Sequence, residues 1–223
     1  MYLFWAWVST IVSIAFPPVL VFSLAGQWNL WYVWAYAGIL ALLYSFDILA
    51  LHLKKPDLLK ERMRPPSGRA YWTGVVFPVV QLLLQPIIAG LDHRFHWSDI
   101  VPPGWTLAGL AIVALGMGLV IWAELINPFF SGAVRIQTDR GQRVIRNGPY
   151  RIVRHPAYAG GIPALVAGGL ALNSLVSILP IIAIVLPIMI YRTMLEDQML
   201  RDELAGYSEY ATKVRYRLIP GVW

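Results

Sequence analysis

The run Ile162-Pro163-Ala164-Leu165-Val166-Ala167-Gly168-Gly169-Leu170-Ala171-Leu172-Asn173-Ser174-Leu175-Val176-Ser177-Ile178-Leu179-Pro180-Ile181-Ile182-Ala183-Ile184-Val185-Leu186-Pro187-Ile188-Met189-Ile190-Tyr191 decides the fold of this chain. It carries no charge before Arg192. A helix needs only about 20 residues to cross a bilayer, and this stretch is half as long again. Asn173-Ser174 sits near its middle, with Gly168-Gly169 before it and Pro180 and Pro187 after it. Two shorter helices turning back near Asn173 account for these breakers; one long straight helix does not. Ala164, Ala167, Gly168 and Ala171 on the first arm allow close approach to a neighbour.

Working back from this hairpin, four further apolar runs cover about Phe4 to Ala25, Leu30 to Leu53, Tyr71 to Leu91 and Trp105 to Ile126. The chain of 223 residues is 58% hydrophobic and only 13% charged, where a soluble domain carries about 25% charge. The expected fold is therefore an all-α polytopic membrane bundle of about six transmembrane helices. The last two form a helical hairpin, with a cytosolic polar segment before it and a C-terminal helix beside it. The first run lacks a basic start and a second follows at once, so it reads as an uncleaved span. Pro17-Pro18 predicts a kink in it, and Gly26-Gln27-Trp28-Asn29 a tight turn after it. A single domain over 1–223 is expected, with a four-span part over 1–126 and a functional part over 127–223.

Charge placement supports the hairpin. Residues 54–72 hold six Lys/Arg, 127–161 six, and 192–223 five; Arg94 stands alone between spans three and four. With a final hairpin, 17 of the 18 fall on one side. The positive-inside rule then places that side, both termini and any site there in the cytoplasm. The formal charge of +6 follows membrane flanks, so anionic lipid is the expected partner and nucleic acid is not. Without cysteine there are no disulfides, thiolate nucleophiles or Cys-ligated metals. His52, His93, His96 and His155 fall on separate loops with no His-Glu-x-x-His pattern, so no metal is expected.

Between the fourth span and the hairpin lies a dense polar segment. Asn127-Pro128 ends the span, Ala133–Gln137 is β-prone, and Asp139–Gln142 is a turn, so Arg143-Val144-Ile145 is expected to pair back as a small hairpin. Gly148-Pro149 and His155-Pro156 enforce extended backbone or turns. A solvated basic loop would explain the arginines but not the tyrosines, prolines and histidine. Arg192 and Glu196 share a helical face at the end of the last span, with the spacing of an ion pair, and a ligand role is expected of them. Asp197, Asp202, Glu203 and Glu209 read as the solvated face of a capping helix. Asp47 and Glu124, near or within spans, are open between function and helix packing.

Gly148-Pro149-Tyr150 followed by Arg154-His155-Pro156-Ala157-Tyr158-Ala159-Gly160 resembles the signature of the isoprenylcysteine carboxyl methyltransferases and their phospholipid-methylating relatives. Glu196-Asp197-x-x-Leu200, Tyr207-x-x-Tyr210 and Ile219-Pro220 agree with it over 127–223; the first four spans resemble it loosely. Asp197 stands where the family usually has a second Glu, and the Ala205-Gly206 turn is shorter than usual. The resemblance implies a cytosolic S-adenosylmethionine pocket lined by Gln137, Gln142, Arg143, Val144, Ile145, Tyr150, His155, Pro156, Ala157, Tyr158 and Glu196. It implies Arg192 as the catalytic residue beside the methyl-accepting group.

The cofactor's carboxylate suits His155 and backbone amides, its ammonium suits Glu196, and its adenine or sulfonium suits the tyrosine faces. No dedicated general base stands out, which favours an acceptor already ionised at neutral pH. The expected activity is O-methylation of the carboxylate of a prenylated cysteine or similar lipophilic acid entering from the bilayer. The alternatives are N-methylation of a phospholipid amine, S-methylation of a small thiol, or, in another class, a non-catalytic scaffold or transporter. A transporter would carry polar residues through several spans and an internal repeat.

Overall fold

Each apolar run folds into a helix, because inside a bilayer only intrahelical bonding satisfies the backbone. The structure, a computed structural model, describes residues 2–63, 72–98 and 101–223. Among these the helices are α1 (Tyr2–Ala25), α2 (Trp31–Lys54), α3 (Pro56–Arg62), α4 (Thr73–Phe95), α5 (Pro103–Ile126), α6 (Pro156–Ala171), α7 (Val176–Glu203) and α8 (Tyr207–Lys213). The expected start of the third span at Tyr71 lies outside the described residues, as do positions 64–71 of the basic loop and 99–100 of the polar loop.

Five helices, α1, α2, α4, α5 and α7, are long and apolar enough to cross a membrane, the architecture of a multi-pass membrane protein. The sixth expected span, α6, has 16 residues. It rises only about 24 Å, short of a hydrocarbon core of about 30 Å. The hairpin itself forms where expected: Asn173 takes a left-handed φ of 56° between α6 and α7. Asn tolerates that conformation because its short amide bonds locally, and its Oδ1 accepts from Val101 N at 2.9 Å. Gly26, at φ 70°, makes the expected turn after α1. Pro17 and Pro18 stay buried inside α1, which runs on across them without a break.

Two helices widen into π turns, at Val80–Leu84 and Ile181–Val185. Each lies just before a proline, Pro86 or Pro187, whose ring would clash with the carbonyl one turn back and offers it no N–H. α5 and α6 pack backbone against backbone. A Cβ on Gly116 would stand 2.5 Å from the Gly160 carbonyl oxygen, and one on Gly109 would stand 2.6 Å from Ala171 N. The small face of α6 thus does what its composition indicates. The bundle core joins α1, α2, α4, α5 and α6 through Val21, Phe22, Val33, Ala89, Val113 and Ala167.

Side-chain bonds sort the chain to two ends. At one, Asp92 accepts from Ser174 Oγ at 2.5 Å and from Ser98 Oγ at 2.6 Å, while His93 Nε2 meets Leu172 O at 2.8 Å. Trp28, Trp31, Trp34, Trp97 and Trp105 are exposed around this end, as interfacial aromatics would be. At the other end α3 ties to α2 and α5, and the 127–155 segment ties to α7 and the C-terminal tail.

Candidate active site

The chain leaves α5 through Asn127, whose Oδ1 accepts from Phe129 N at 2.9 Å and whose amide donates to Tyr150 Oη at 3.2 Å. The small β-hairpin expected over 133–145 does not form: no strand occurs among the described residues, and Val134 makes an isolated bridge. Side chains take over the loop's polar backbone instead. Gln137 N donates to Gln142 Oε1 at 2.6 Å, Gln137 Nε2 to Phe129 O at 2.7 Å, and Arg140 Nη2 to Pro128 O at 2.9 Å. Thr138–Arg140 is a 3-10 turn closed by Gly141 at φ 63°. Ile136 and Val144 pack against Leu204, Tyr207 and Tyr210 of the C-terminal region. That apolar contact outweighs a two-stranded ladder, which is marginal alone.

The C-terminal tail is fastened to the start of α6. Arg154 N donates to Tyr216 O and His155 N to Arg217 O, both at 3.0 Å. Asp197 is the hub beneath them and is fully buried. It accepts from Arg154 Nε at 2.7 Å and Nη2 at 3.1 Å, from Tyr207 Oη at 3.0 Å, and from Arg201 and Arg217 Nε at 3.1 Å each. His155 Nε2 lies 3.4 Å from the same carboxylate. The solvated face expected for Asp197 is therefore corrected. A helix end folded under a tail buries what an exposed helix would display, and the buried charge is held by a paired guanidinium. Asp202, Glu203 and Glu209 are exposed, as expected.

The Arg192–Glu196 contact is also corrected in detail. Tyr158 stands between them: its hydroxyl accepts from Arg192 Nε at 2.9 Å and donates to Glu196 Oε2 at 2.6 Å. Arg192 Nη1 donates to Thr73 Oγ1 at 2.6 Å and Nη2 to the Gly132 carbonyl. Three of its five N–H groups are thereby used and the plane is fixed, leaving one on each terminal nitrogen among the described residues. The His155 ring lies parallel to that of Tyr158, centroids 5.8 Å apart.

These groups border one cavity of about 620 Å³, which brings together all twelve residues singled out from the sequence, Gln137 through Glu196 and Arg192. It also reaches Thr73 and Gly74 of α4, Ser9, Thr10 and Ser13 of α1, and Arg62, which sequence reasoning left out, and Asp47, which it left open. Burial pushes the Tyr150 phenol up, opposed in part by the bond from Asn127, so this hydroxyl stays protonated. Tyr207 and Tyr210 are raised by burial too, Tyr207 further by the Asp197 charge. None of the three supplies a base. Among the described residues no cluster of His, Asp and Glu could hold a metal ion.

Residues 105–205 match the model of the phospholipid methyltransferase family. The chain is similar to that family over this segment. Its members are integral membrane methyltransferases related to the isoprenylcysteine enzymes, which is the resemblance read from the sequence. The family segment runs from α5 almost to the end of the α7–α8 turn and contains all twelve residues above. The match indicates a membrane methyltransferase and implies a methyl donor. No curated protein matches the chain at a significant level.

Proposed function

We propose that the protein is an S-adenosylmethionine-dependent methyltransferase acting on a lipophilic carboxylic acid, such as the C-terminal carboxylate of a prenylated cysteine, at the cytoplasmic end of the bundle. The observation that carries this is the relay Arg192–Tyr158–Glu196 on the wall of the family segment's cavity.

The donor set fits the methyl donor. Glu196, half-buried and bonded by one oxygen to Tyr158, is the group for the ammonium. His155 and the turn Gly148–Arg151 suit the carboxylate; the parallel rings of His155 and Tyr158 offer flat faces to adenine or the cationic sulfur. S-adenosylmethionine supplies an electrophilic methyl group when bound. The chain's own part is to hold an acceptor in line and keep water out, which can supply much of a displacement's acceleration. Arg192, locked by Thr73, Gly132 and Tyr158, has two N–H groups left to orient an acceptor carboxylate. A carboxylate needs no proton removed before it accepts a methyl group.

N-methylation of a phospholipid amine is the second reading, favoured by the description of the matched family. Methyl transfer from labelled donor to a panel of prenylcysteine acids, phosphatidylethanolamine analogues and small thiols separates the two. Labelled acids support the carboxylate assignment. Label confined to amines or thiols overturns it and leaves the methyltransferase assignment standing. Arg192→Lys keeps the charge but loses the planar fork. It is expected to lower turnover at least tenfold with the donor's affinity nearly intact.

A further inference from the structure

The cavity extends well beyond the family segment, along a wall built by α1, α2 and α3 that the activity above does not use. Asp47 of α2 stands on this wall, 6% exposed. Its Oδ2 accepts from Arg62 Nη1 at 2.9 Å; its Oδ1 is buried and accepts from nothing among the described residues. A bare carboxylate oxygen is costly to bury, and one that borders a cavity is explained by a donor arriving there. The sharing of Arg62 points to a charged N–H donor. Arg62 Nη1 also bonds Glu124 Oε1 at 2.7 Å, so one guanidinium is shared between two carboxylates and leaves Asp47 only half served. Lys55 senses Glu124 but does not border the cavity. Thr10 and Ser13 of α1 line the same cavity and offer hydroxyl acceptors to it.

We infer that Asp47, with the Thr10 and Ser13 hydroxyls, forms a second subsite that anchors a protonated amine carried by the acceptor, apart from the group that receives the methyl. It rests on the methyltransferase reading only in calling the ligand an acceptor. Asp47 would then determine specificity, selecting among lipophilic molecules that reach Arg192.

A structural role is the competitor: Asp47 and Glu124 alike would merely clip α3 to the bundle through Arg62. Glu124 separates the two, since it bonds Arg62 and is 1% exposed but does not border the cavity. The test uses the full chain in lipid nanodiscs, loaded with S-adenosylhomocysteine. Decylammonium, decanol and decanoate are titrated calorimetrically against protein-free discs as background. The expected result is at least tenfold tighter binding of decylammonium than of decanol, a margin lost in Asp47→Asn and kept in Glu124→Gln. No margin in the wild type, or a margin lost equally in both variants, overturns the subsite; the wild-type series decides even if Asp47→Asn does not fold. Weakened S-adenosylmethionine binding in Asp47→Asn would overturn it as well, by giving the ammonium to the donor. An intact margin in a protein that binds no S-adenosylmethionine sinks the enzyme reading and leaves the subsite.

Discussion

Replacing Asp197 by Asn should undo the docking of the C-terminal tail, while the same change one residue earlier should not. Asp197 is fully buried and faces Arg154, whose side chain is 2% exposed. Removing one partner of such a buried pair costs about 3–5 kcal/mol, because the other charge is left uncompensated. Arg201 and Arg217, at 39% and 31% side-chain exposure, add little, on the order of 0–1 kcal/mol each. For a chain of this size the loss corresponds to a fall in Tm on the order of 10 °C. Glu196→Gln loses only the half-buried contact with Tyr158 and should move Tm by about 2 °C or less. Intrinsic tryptophan fluorescence on heating reads both variants, and limited proteolysis reports whether residues 204–223 are released in the first. Tm values for the two variants that agree within about 2 °C would refute the assignment of Asp197 as the hub.

Two further outcomes follow from the packing. Gly160→Ala puts a methyl against the Gly116 carbonyl oxygen, backbone that cannot give way without moving α5 from α6. It should destabilise by about 1–3 kcal/mol, whereas Gly118→Ala, which meets open space, should not. Single cysteines at Asp57 and Thr212 should react with an impermeant thiol reagent from the same side of the membrane, and one at Trp97 from the other. Opposite reactivity of the first two would reject the hairpin.

The bundle was readable from the sequence because membrane helices are specified by composition over long windows, and breakers such as Asn173-Ser174 mark the one ambiguous turn. The cavity wall over 137–196 was readable through the motif residues, whose types suit the ligand they are expected to meet. What escaped was pairing between distant segments. Asp197 looked solvated because its neighbours in sequence, Glu196 and Gln198, are polar; nothing local says that Arg154 and the 214–217 backbone close over it. The i, i+4 spacing to Arg201 was the one available hint. The 133–145 hairpin failed for the related reason that Ile136 and Val144 had an apolar partner in α8. Asp47, Arg62 and Glu124 lie on three helices, and no spacing rule links them.

Binding of S-adenosylmethionine to the purified full-length chain tests the central claim most directly. Calorimetry should show a saturable site in the wild type. His155→Ala and Glu196→Ala should each weaken it about tenfold to a hundredfold, the equivalent of one charge-assisted hydrogen bond worth roughly 1.5–3 kcal/mol. Asp202→Ala, on the exposed face of α7, should leave it unchanged. A wild-type protein that binds no S-adenosylmethionine, or variants at His155 and Glu196 that bind it as tightly as the wild type, would contradict the account.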